Sequence, residues 1–254
     1  MSLLVFDSGI GGLGVVAQIR QLQPEQDIIY LADNGFFPYG AKPDEVLLPH
    51  IVTLLGTAIS RFRPQAVVVA CNTASTIALP ALRAAYDVPF IGCVPPIKPA
   101  AAASASKVIG VLATAATVRR PYLSGLIEQF APGCTVLSLG TPALAELAEQ
   151  KFRGALVDVA PAIAPLFAQA DGARIDAIAL GCTHYTFLLP EFTALHPGIS
   201  WFDSALPVAR QTLAVTSRLP PAPKQAQAVS FTGAPLDARL LAPFGFIRTE
   251  TFPP

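Results

Sequence analysis

The feature that most constrains the fold is a regular alternation of short apolar runs with longer segments rich in Ala and Leu. Runs of about four to eight apolar residues between turn signals are typical of buried parallel strands. The candidate strands are residues 3–6, 28–31, 66–70, 90–94, 108–112, 135–139, 177–180 and 199–202. Between them, segments 13–22, 43–62, 75–85, 142–152 and 157–168 suit crossover helices. The alternation therefore predicts an α/β fold with mostly parallel sheets flanked by helices.

Two breaks divide this pattern. The segment VPPIKP, residues 94–99, carries prolines at 95, 96 and 99 and is not expected within a central strand or helix. A second break is predicted at DSALP, residues 203–207, and the tail after it contains LPPAP at 219–223 and the strand-like VSFT at 229–232. The tail is too short to fold alone. We therefore expect a discontinuous domain A, residues 1–95 with 208–254, and a domain B, residues 96–207.

Internal similarity indicates that the two domains are pseudo-equivalent. VVVACNT, from Val67, resembles AIALGCTH, from Ala177, because in each an apolar strand leads into a cysteine and a hydroxyl or amide side chain. LVFDSG, from Leu4, and IGVLAT, from Ile109, likewise end a strand with a hydroxyl. Ligands of open α/β sheets bind at the carboxyl ends of strands. These four segments are expected to line an active site in the cleft between the domains.

Composition and charge exclude several classes of function. Seventeen basic and seventeen acidic residues leave no net charge and form no basic cluster, so a nucleic-acid partner is not expected. No run approaches the roughly eighteen apolar residues of a membrane span, and no export signal precedes the first strand. We expect a soluble, cytoplasmic protein with a small-molecule partner. Because Met1 adjoins the first strand, we also expect no N-terminal extension that binds an effector.

The four cysteines are widely spaced and lack the paired spacing of a metal site, so reduced thiols are expected rather than zinc or disulfides. A cysteine is by default a small core hydrophobe. We interpret Cys93 and Cys134 in that way. Cys71 differs because, in VVVACNTAST, it stands at a strand end beside hydrogen-bonding side chains. Taken alone, that segment leaves both packing and chemistry open.

A glycine-rich loop follows the first strand. DSGIGGLG, residues 7–14, contains G-x-G-x-x-G, and Asp33 ends the next candidate strand, a spacing typical of dinucleotide sites. However, Asp7 would place a carboxylate beside the diphosphate that a helix N-terminus attracts, which argues against NAD. The loop could instead hold a carboxylate ligand through backbone N–H groups and Ser8, or serve only as a tight turn.

Two further segments carry polar groups at strand ends. In GCTHY, residues 181–185, His184 stands two residues from Cys182, where it could serve as an acid or base or as an ordinary buried histidine. YLADNGFFPYG, residues 30–40, ends in a rigid Pro-Tyr-Gly. This segment could contribute to a site or could be a plain turn, and the sequence fits both equally well.

Together these segments resemble the cofactor-independent glutamate racemases of the aspartate/glutamate racemase superfamily. The resemblance spans nearly the whole chain and follows the order of the family's motifs. It rests on FDSGIGGL (from Phe6), YLAD with PYG (from Tyr30 and Pro38), ACNTAS (from Ala70), IGVLATAAT (from Ile109) and GCTHY (from Gly181).

The resemblance implies a role for individual residues. The catalytic residues would be Cys71, assisted by Asp7, and Cys182, assisted by His184. Glu149 matches a family glutamate near the histidine, although a helix-surface glutamate fits the sequence equally well. The substrate-binding residues would be Asp7, Ser8, Pro38, Tyr39, Gly40, Cys71, Asn72, Thr73, Thr114, Thr117, Cys182, Thr183 and His184. The resemblance also implies a homodimer and a supply of D-glutamate for peptidoglycan, and hence a role in cell wall biogenesis and cell shape.

Two thiols suit inversion of an α-carbon, which requires one group to remove a proton and a second to deliver a proton to the opposite face. A thiol has a pKa of about 8.5, so a neighbouring group can bring it near working pH. Without pyridoxal, hydrogen bonds to the substrate carboxylate must stabilise the carbanion. No motif contains a lysine for a Schiff base, and we expect neither cofactor nor metal.

Three alternatives stay open at this stage. A racemase of aspartate or of a hydantoin could share the two-thiol arrangement. A thiol hydrolase with Cys71 as nucleophile would need a single Cys/His pair and would leave the second motif cysteine without a role. A noncatalytic amino-acid-binding protein would need neither thiol.

Overall fold

The computed structural model describes residues 2–220 and 227–253, in which strands and helices alternate along the chain. The strands are β1 (Ser2–Asp7), β2 (Asp27–Ala32), β3 (Ala66–Val69), β4 (Phe90–Gly92), β5 (Val108–Ala113), β6 (Thr135–Gly140), β7 (Ala177–Gly181), β8 (Ser200–Phe202), β9 (Val229–Phe231) and β10 (Thr249–Thr251). The α-helices are α1 (Leu13–Leu22), α2 (Asp44–Phe62), α3 (Asn72–Ala85), α4 (Ile97–Ala103), α5 (Ala115–Arg119), α6 (Pro121–Phe130), α7 (Ala143–Phe152), α8 (Ala160–Phe167), α9 (Leu189–Leu195), α10 (Ala205–Thr216) and α11 (Ala238–Leu241). Short 3₁₀ helices span Tyr39–Ala41, Gly172–Arg174, Thr183–Leu188 and Ala242–Phe244.

The strands form two parallel sheets. One has six strands in the order β10-β9-β2-β1-β3-β4, and the other has four in the order β6-β5-β7-β8. All the strand pairs of the described residues are parallel. The predicted α/β class, with two mostly parallel sheets flanked by helices, is confirmed. The short strand β10 and the helices α4, α5, α6, α9, α10 and α11 were not predicted.

The described residues divide into two compact units. Unit 1 consists of residues 2–93, 205–220 and 227–253 and holds the six-stranded sheet. Unit 2, Val94–Ser204, holds the four-stranded sheet. The boundaries predicted from the sequence, 95/96 and 207/208, lie a few residues further along the chain. Residues 221–223 of the LPPAP segment lie outside the described residues.

The proline-rich segment at 94–99 corrects one expectation. We expected it to exclude a helix, yet α4 begins at Ile97 and includes Pro99. Pro99 lies in the first turn, where the backbone N–H has no intrahelical partner, so the helix loses no hydrogen bond.

Helix α2 is the one helix of the described residues that is long and apolar enough to cross a membrane, judged by length and composition alone. Its buried residues, from Leu47 to Ala58, belong to the hydrophobic core of unit 1. A core helix of a soluble protein meets the same criterion. Five residues of α2 thus pack into the core of unit 1, and one such helix is weak evidence for a membrane span.

In unit 1, the packing of β1 against β3 sets the position of the strand ends. The two strands pair from Leu3↔Ala66 to Phe6↔Val69, and these residues are buried. Because parallel strands end at the same edge of a sheet, Asp7 and the residues that follow Val69 leave the sheet side by side.

The same arrangement recurs in unit 2. Strand β5 pairs with β7 from Ile109↔Ala177 to Ala113↔Gly181. Thr114 directly follows β5 and Cys182 directly follows β7, so the two residues lie next to each other at the carboxyl edge of the four-stranded sheet. The internal similarity noted in the sequence thus corresponds to adjacent strands in each unit.

Candidate active site

Cys71 connects β3 to α3 and is 5% exposed. It is the N-cap of a 14-residue helix, and the positive end of that helix dipole favours negative charge on the sulfur. Ser8 Oγ lies 3.8 Å from its Sγ, within hydrogen-bonding distance for sulfur. The thiol therefore lies in a buried, polar environment suited to holding and releasing a proton.

Asp7 ends β1, the strand beside β3, and is fully buried. Its Oδ1 accepts a hydrogen bond from the Gly9 N–H at 2.9 Å, and its main-chain oxygen accepts one from the Asp33 N–H at 2.8 Å. The backbone N–H of Gly9, in the glycine-rich loop, thus binds the carboxylate of Asp7 rather than remaining available to a ligand. A diphosphate at this turn would meet that negative charge, so the contact favours a role in holding Asp7 over dinucleotide binding.

Gly12 lets the loop approach β1 closely. A Cβ built at Gly12 would lie 2.9 Å from Tyr30 Oη and 3.0 Å from Asp7 Cβ. The Tyr30 hydroxyl in turn donates to the Gly9 carbonyl at 2.7 Å. The absence of a side chain at residue 12 therefore allows the packing that positions Asp7.

Tyr39, in the Pro-Tyr-Gly turn, is buried while Pro38 and Gly40 are half-buried. Its hydroxyl donates to Asp33 Oδ2 at 2.5 Å. Burial, then the adjacent Asp33 carboxylate and the negative charges of Cys71 and Asp7, raise the pKa of Tyr39 well above its usual range. The phenol therefore stays neutral and serves as a hydrogen-bond donor.

Asn72 and Thr73 form the first turn of α3 and are both buried. Cys93 Sγ lies 3.2 Å from Asn72 Oδ1 and donates to it. The first turn is thereby tied to the residue that follows β4.

In unit 2, Cys182 directly follows β7 and is 8% exposed. Nδ1 of His184 lies 4.0 Å from Cys182 Sγ, and Nε2 of the same ring lies 3.2 Å from Glu149 Oε1. Glu149 is on α7, which packs against the 3₁₀ helix Thr183–Leu188. A carboxylate that orients an imidazole toward a thiol is an arrangement that moves protons.

The second oxygen of Glu149 accepts a hydrogen bond from Arg153 Nη2 at 3.0 Å, one helical turn further along α7. The Glu149 side chain is 13% exposed, against 45% for Arg153. Glu149 is thus neither a free surface residue nor fully enclosed, and it faces His184 with one oxygen.

Three predicted substrate-binding residues of unit 2 are threonines, and all three are buried. Thr114 caps α5: its Oγ1 accepts from the Thr117 N–H at 3.2 Å and lies 3.0 Å from Thr117 Oγ1. The structure thus brings Thr114 together with Thr117, and both Thr183 and His184 with Cys182.

None of the four cysteines, all of which lie in the described residues, forms a disulfide. The described ranges also contain no group of three or more His, Cys, Asp or Glu side chains arranged to hold a metal ion.

Comparison with known proteins decides the family. A family model described as Asp/Glu/hydantoin racemase matches residues 14–212. The chain belongs to this racemase family. The glutamate racemase of Granulibacter bethesdensis is 49% identical over 243 residues, which cover 91% of this chain and 88% of that protein. The glutamate racemase of Sphingopyxis alaskensis is 43% identical over 258 aligned positions, covering 98% and 96%.

A solved racemase structure is similar over almost its whole length. Escherichia coli glutamate racemase, in complex with L-glutamate and the activator UDP-MurNAc-Ala, superposes with a TM-score of 0.90. It is 37% identical in sequence, and the match covers 98% of this chain and 97% of that one.

Two side chains that were not among the predicted site residues, Asp33 and Cys93, contact members of that set. Asp33 accepts hydrogen bonds from Tyr39 and, at 2.5 Å, from Thr232 Oγ1, and it lies 2.6 Å from Nε2 of His50. Cys93 was interpreted as core packing; it is buried, but its thiol also contacts Asn72. The sequence signals were the position of both residues at or just past a strand end and, for Asp33, its place in the YLAD motif.

Proposed function

We propose that this chain interconverts L-glutamate and D-glutamate with two thiols, Cys71 and Cys182. One removes the proton from the substrate Cα, and the other delivers a proton to it. The observation that carries the proposal is that each thiol lies just past the carboxyl end of an inner parallel strand and has its own polar partner. Cys182 directly follows β7, and Cys71 follows β3 after one residue. Cys71 has Ser8 within reach and Asp7 on the adjacent strand, and Cys182 has the His184–Glu149 pair.

The two thiols act on opposite faces of Cα. One, as thiolate, removes the proton, while the other, as thiol, delivers a proton to the carbanion. Asp7 assists Cys71, and His184 assists Cys182 with Glu149 behind it. By the family resemblance, Cys71 acts on D-glutamate and Cys182 on L-glutamate.

The remaining site residues hold the substrate. The groups proposed to bind its ammonium and carboxylates are Ser8, Asn72, Thr73, Thr114, Thr117 and Thr183, and Pro38, Tyr39 and Gly40 close the site. Hydrogen bonds to the substrate carboxylate that strengthen as the carbanion forms would lower the barrier without a cofactor.

The biological role follows from the family. The enzyme would supply D-glutamate for peptidoglycan in the cytoplasm and act as a homodimer, with predicted domains A and B each contributing one thiol.

The first experiment is polarimetry with each enantiomer of glutamate and of aspartate, without added pyridoxal, nicotinamide or metal. We expect both glutamate enantiomers to approach zero rotation and both aspartate enantiomers to stay unchanged. Racemisation of aspartate instead would favour the aspartate racemase alternative. Dependence on an added cofactor would overturn the two-thiol mechanism.

The second experiment separates one base from two. In heavy water at early conversion, two bases give a product that carries deuterium at Cα while the remaining substrate stays largely unlabelled. Each enantiomer is run separately, and Cα deuterium is measured by mass spectrometry after chiral separation. Unlabelled product would point to a single base that returns the original proton.

Single variants test the thiols directly. Cys71→Ser and Cys182→Ser should each abolish racemisation while keeping the fold, because serine has similar shape but transfers protons poorly near neutral pH. Cys134→Ser, which removes a thiol outside the motifs, is the matched control. A thiol hydrolase would need only one of the two motif cysteines.

A further inference from the structure

The side-chain amide of Asn72 has a hydrogen-bond partner at its oxygen and none at its nitrogen among the described residues. Asn72 is 1% exposed, and its Nδ2 has no hydrogen-bond partner among the residues that the structure describes. Its Oδ1 accepts a hydrogen bond from Cys93 Sγ at 3.2 Å. A buried donor without a partner costs about 1–3 kcal/mol, so a native chain keeps one where it meets a ligand.

The contact with Cys93 decides which end of the amide is left over. The two ends of an Asn amide have nearly the same shape, and only their hydrogen bonds distinguish the acceptor oxygen from the donor nitrogen. A thiol that donates to the oxygen leaves the NH₂ group as the end that can bind something else. The carboxylates of glutamate are acceptors, so they need that donor and would be repelled by the oxygen.

Cys93 is itself held in place. Its N–H donates to Ser75 Oγ at 2.9 Å, and the Ser75 hydroxyl donates to the Val69 carbonyl at 2.8 Å. Ser75 lies in the first turn of α3 with Asn72, so the end of β3, the start of α3 and the residue after β4 form one hydrogen-bonded unit. The sulfur is fully buried within it.

We propose that Cys93 is a positioning residue: its thiol fixes the amide of Asn72 so that Nδ2 is presented to a substrate carboxylate. The inference rests on the proposed function, because it takes glutamate as the ligand. Cys93 acts through Asn72 and does not take part in proton transfer.

The test compares two substitutions of Cys93. Cys93→Ser keeps a donor, whereas Cys93→Val keeps an apolar side chain of similar size without one. We expect Cys93→Val to raise the KM for glutamate about tenfold and Cys93→Ser to stay within about threefold of wild type. L- and D-glutamate have equal free energy in achiral solution, so kcat/KM must fall by the same factor in both directions, which checks the measurement. Cys134→Val is the control for losing a thiol and should keep the wild-type KM.

A double-mutant cycle separates positioning from packing. In an Asn72→Ala background, Cys93→Val should change the KM less than about twofold, because the group it orients is gone. The melting temperature of each variant is measured alongside, since a purely structural role would move it equally in both backgrounds. Where the Asn72→Ala rate is too low for kinetics, calorimetric binding of glutamate replaces the KM.

The outcomes are distinguishable. Three outcomes, each with a wild type that racemises glutamate, would overturn the role of Cys93 alone. They are an unchanged KM in Cys93→Val, an equal rise of the KM in the Ser and Val variants, and additive changes of the KM in the double-mutant cycle. A wild type that binds glutamate without interconverting it would overturn the proposed function, while the binding comparison still tests Cys93. A wild type that does neither overturns both.

Discussion

The carboxylate of Glu149 lies 3.2 Å from Nε2 of His184. The other ring nitrogen of that histidine is the one that faces Cys182. A hydrogen bond at one nitrogen of an imidazole selects its tautomer and fixes the direction of the other. Glu149 therefore determines which nitrogen of His184 meets the thiol.

Glu149→Gln keeps the shape of the side chain and removes its charge. We expect kcat/KM for both glutamate enantiomers to fall about tenfold, because hydrogen bonds to charged groups are roughly twice as strong as neutral ones. Arg153→Gln is the matched control, since it removes a second contact of the Glu149 carboxylate and leaves His184 in place. A similar loss in Arg153→Gln would mean that the charge on α7, rather than the contact with His184, matters.

Gly12→Ala tests the packing that positions Asp7. The new Cβ would lie 2.9 Å from Tyr30 Oη and 3.0 Å from both Ala70 Cβ and Asp7 Cβ, so a neighbour must shift. We expect the free energy of unfolding to fall by about 1–3 kcal/mol and kcat/KM by about tenfold or more. Urea unfolding and initial rates measure the two effects.

The control for this substitution is Gly125→Ala, in helix α6, where a Cβ would meet nothing within 4 Å. That variant should keep wild-type activity and gain stability, since alanine favours helices more than glycine. Wild-type activity in Gly12→Ala would show that the loop can move without displacing Asp7.

Asp33→Asn tests the cluster beside Tyr39. The Asp33 carboxylate accepts from Tyr39 and Thr232 and contacts His50, whereas an amide offers one acceptor oxygen and an NH₂ group that only donates. We expect a loss of about 1–3 kcal/mol in the free energy of unfolding. Thr232→Val removes only one donor and should cost less than Asp33→Asn; an equal or larger loss would contradict the role of Asp33 as the shared acceptor.

The fold and the strand-end residues were predictable because both depend on local sequence. A run such as VVVA specifies a buried strand, and the residues directly after it must lie at the carboxyl edge of a parallel sheet. The family was recognisable for the same reason, since its motifs are the strand ends.

Contacts between residues far apart in the sequence could not be derived from local sequence patterns. Thr232 reaches Asp33 across 199 residues of sequence, and neither residue carries a local pattern that specifies the other. The resemblance implied that Glu149 lies near the histidine, but an exposed helix face fitted the local sequence equally well. The packing of α7 against the 3₁₀ helix Thr183–Leu188 places it beside His184. Burial of Cys93 was expected, but the donor contact with Asn72 depends on where β4 ends relative to α3.

Two buried tyrosines should make the protein unstable at alkaline pH. Burial, with the charge of Asp33 and then of Cys71 and Asp7, raises the pKa of Tyr39 well above its ordinary value of 10.0. Burial and the neighbouring Cys182 raise the pKa of Tyr185, whose hydroxyl donates to the Thr141 carbonyl at 3.0 Å. Each phenol therefore keeps its proton in the native state at a pH where the unfolded chain has lost it.

The sign of the effect follows from proton binding. Above about pH 10 the unfolded state binds fewer protons than the native state, so the free energy of unfolding falls as pH rises. The contribution of each tyrosine is fully present below pH 10.0 and is lost progressively as the pH rises toward its native pKa. The slope is at most about 1.4 kcal/mol per pH unit for each tyrosine.

Urea unfolding of wild type, Tyr39→Phe and Tyr185→Phe between about pH 9 and pH 11 tests this prediction. Each variant should lose stability at the lower pH, because its hydroxyl bond is gone, yet show a shallower decline above pH 10 by up to about 1.4 kcal/mol per unit. Tyr122→Phe, at an exposed position on α6, is the control and should keep the wild-type slope. If the slopes of the two buried variants match that of wild type, neither phenol resists ionisation in the native state, and Tyr39 would not be the persistent donor to Asp33 that its surroundings indicate.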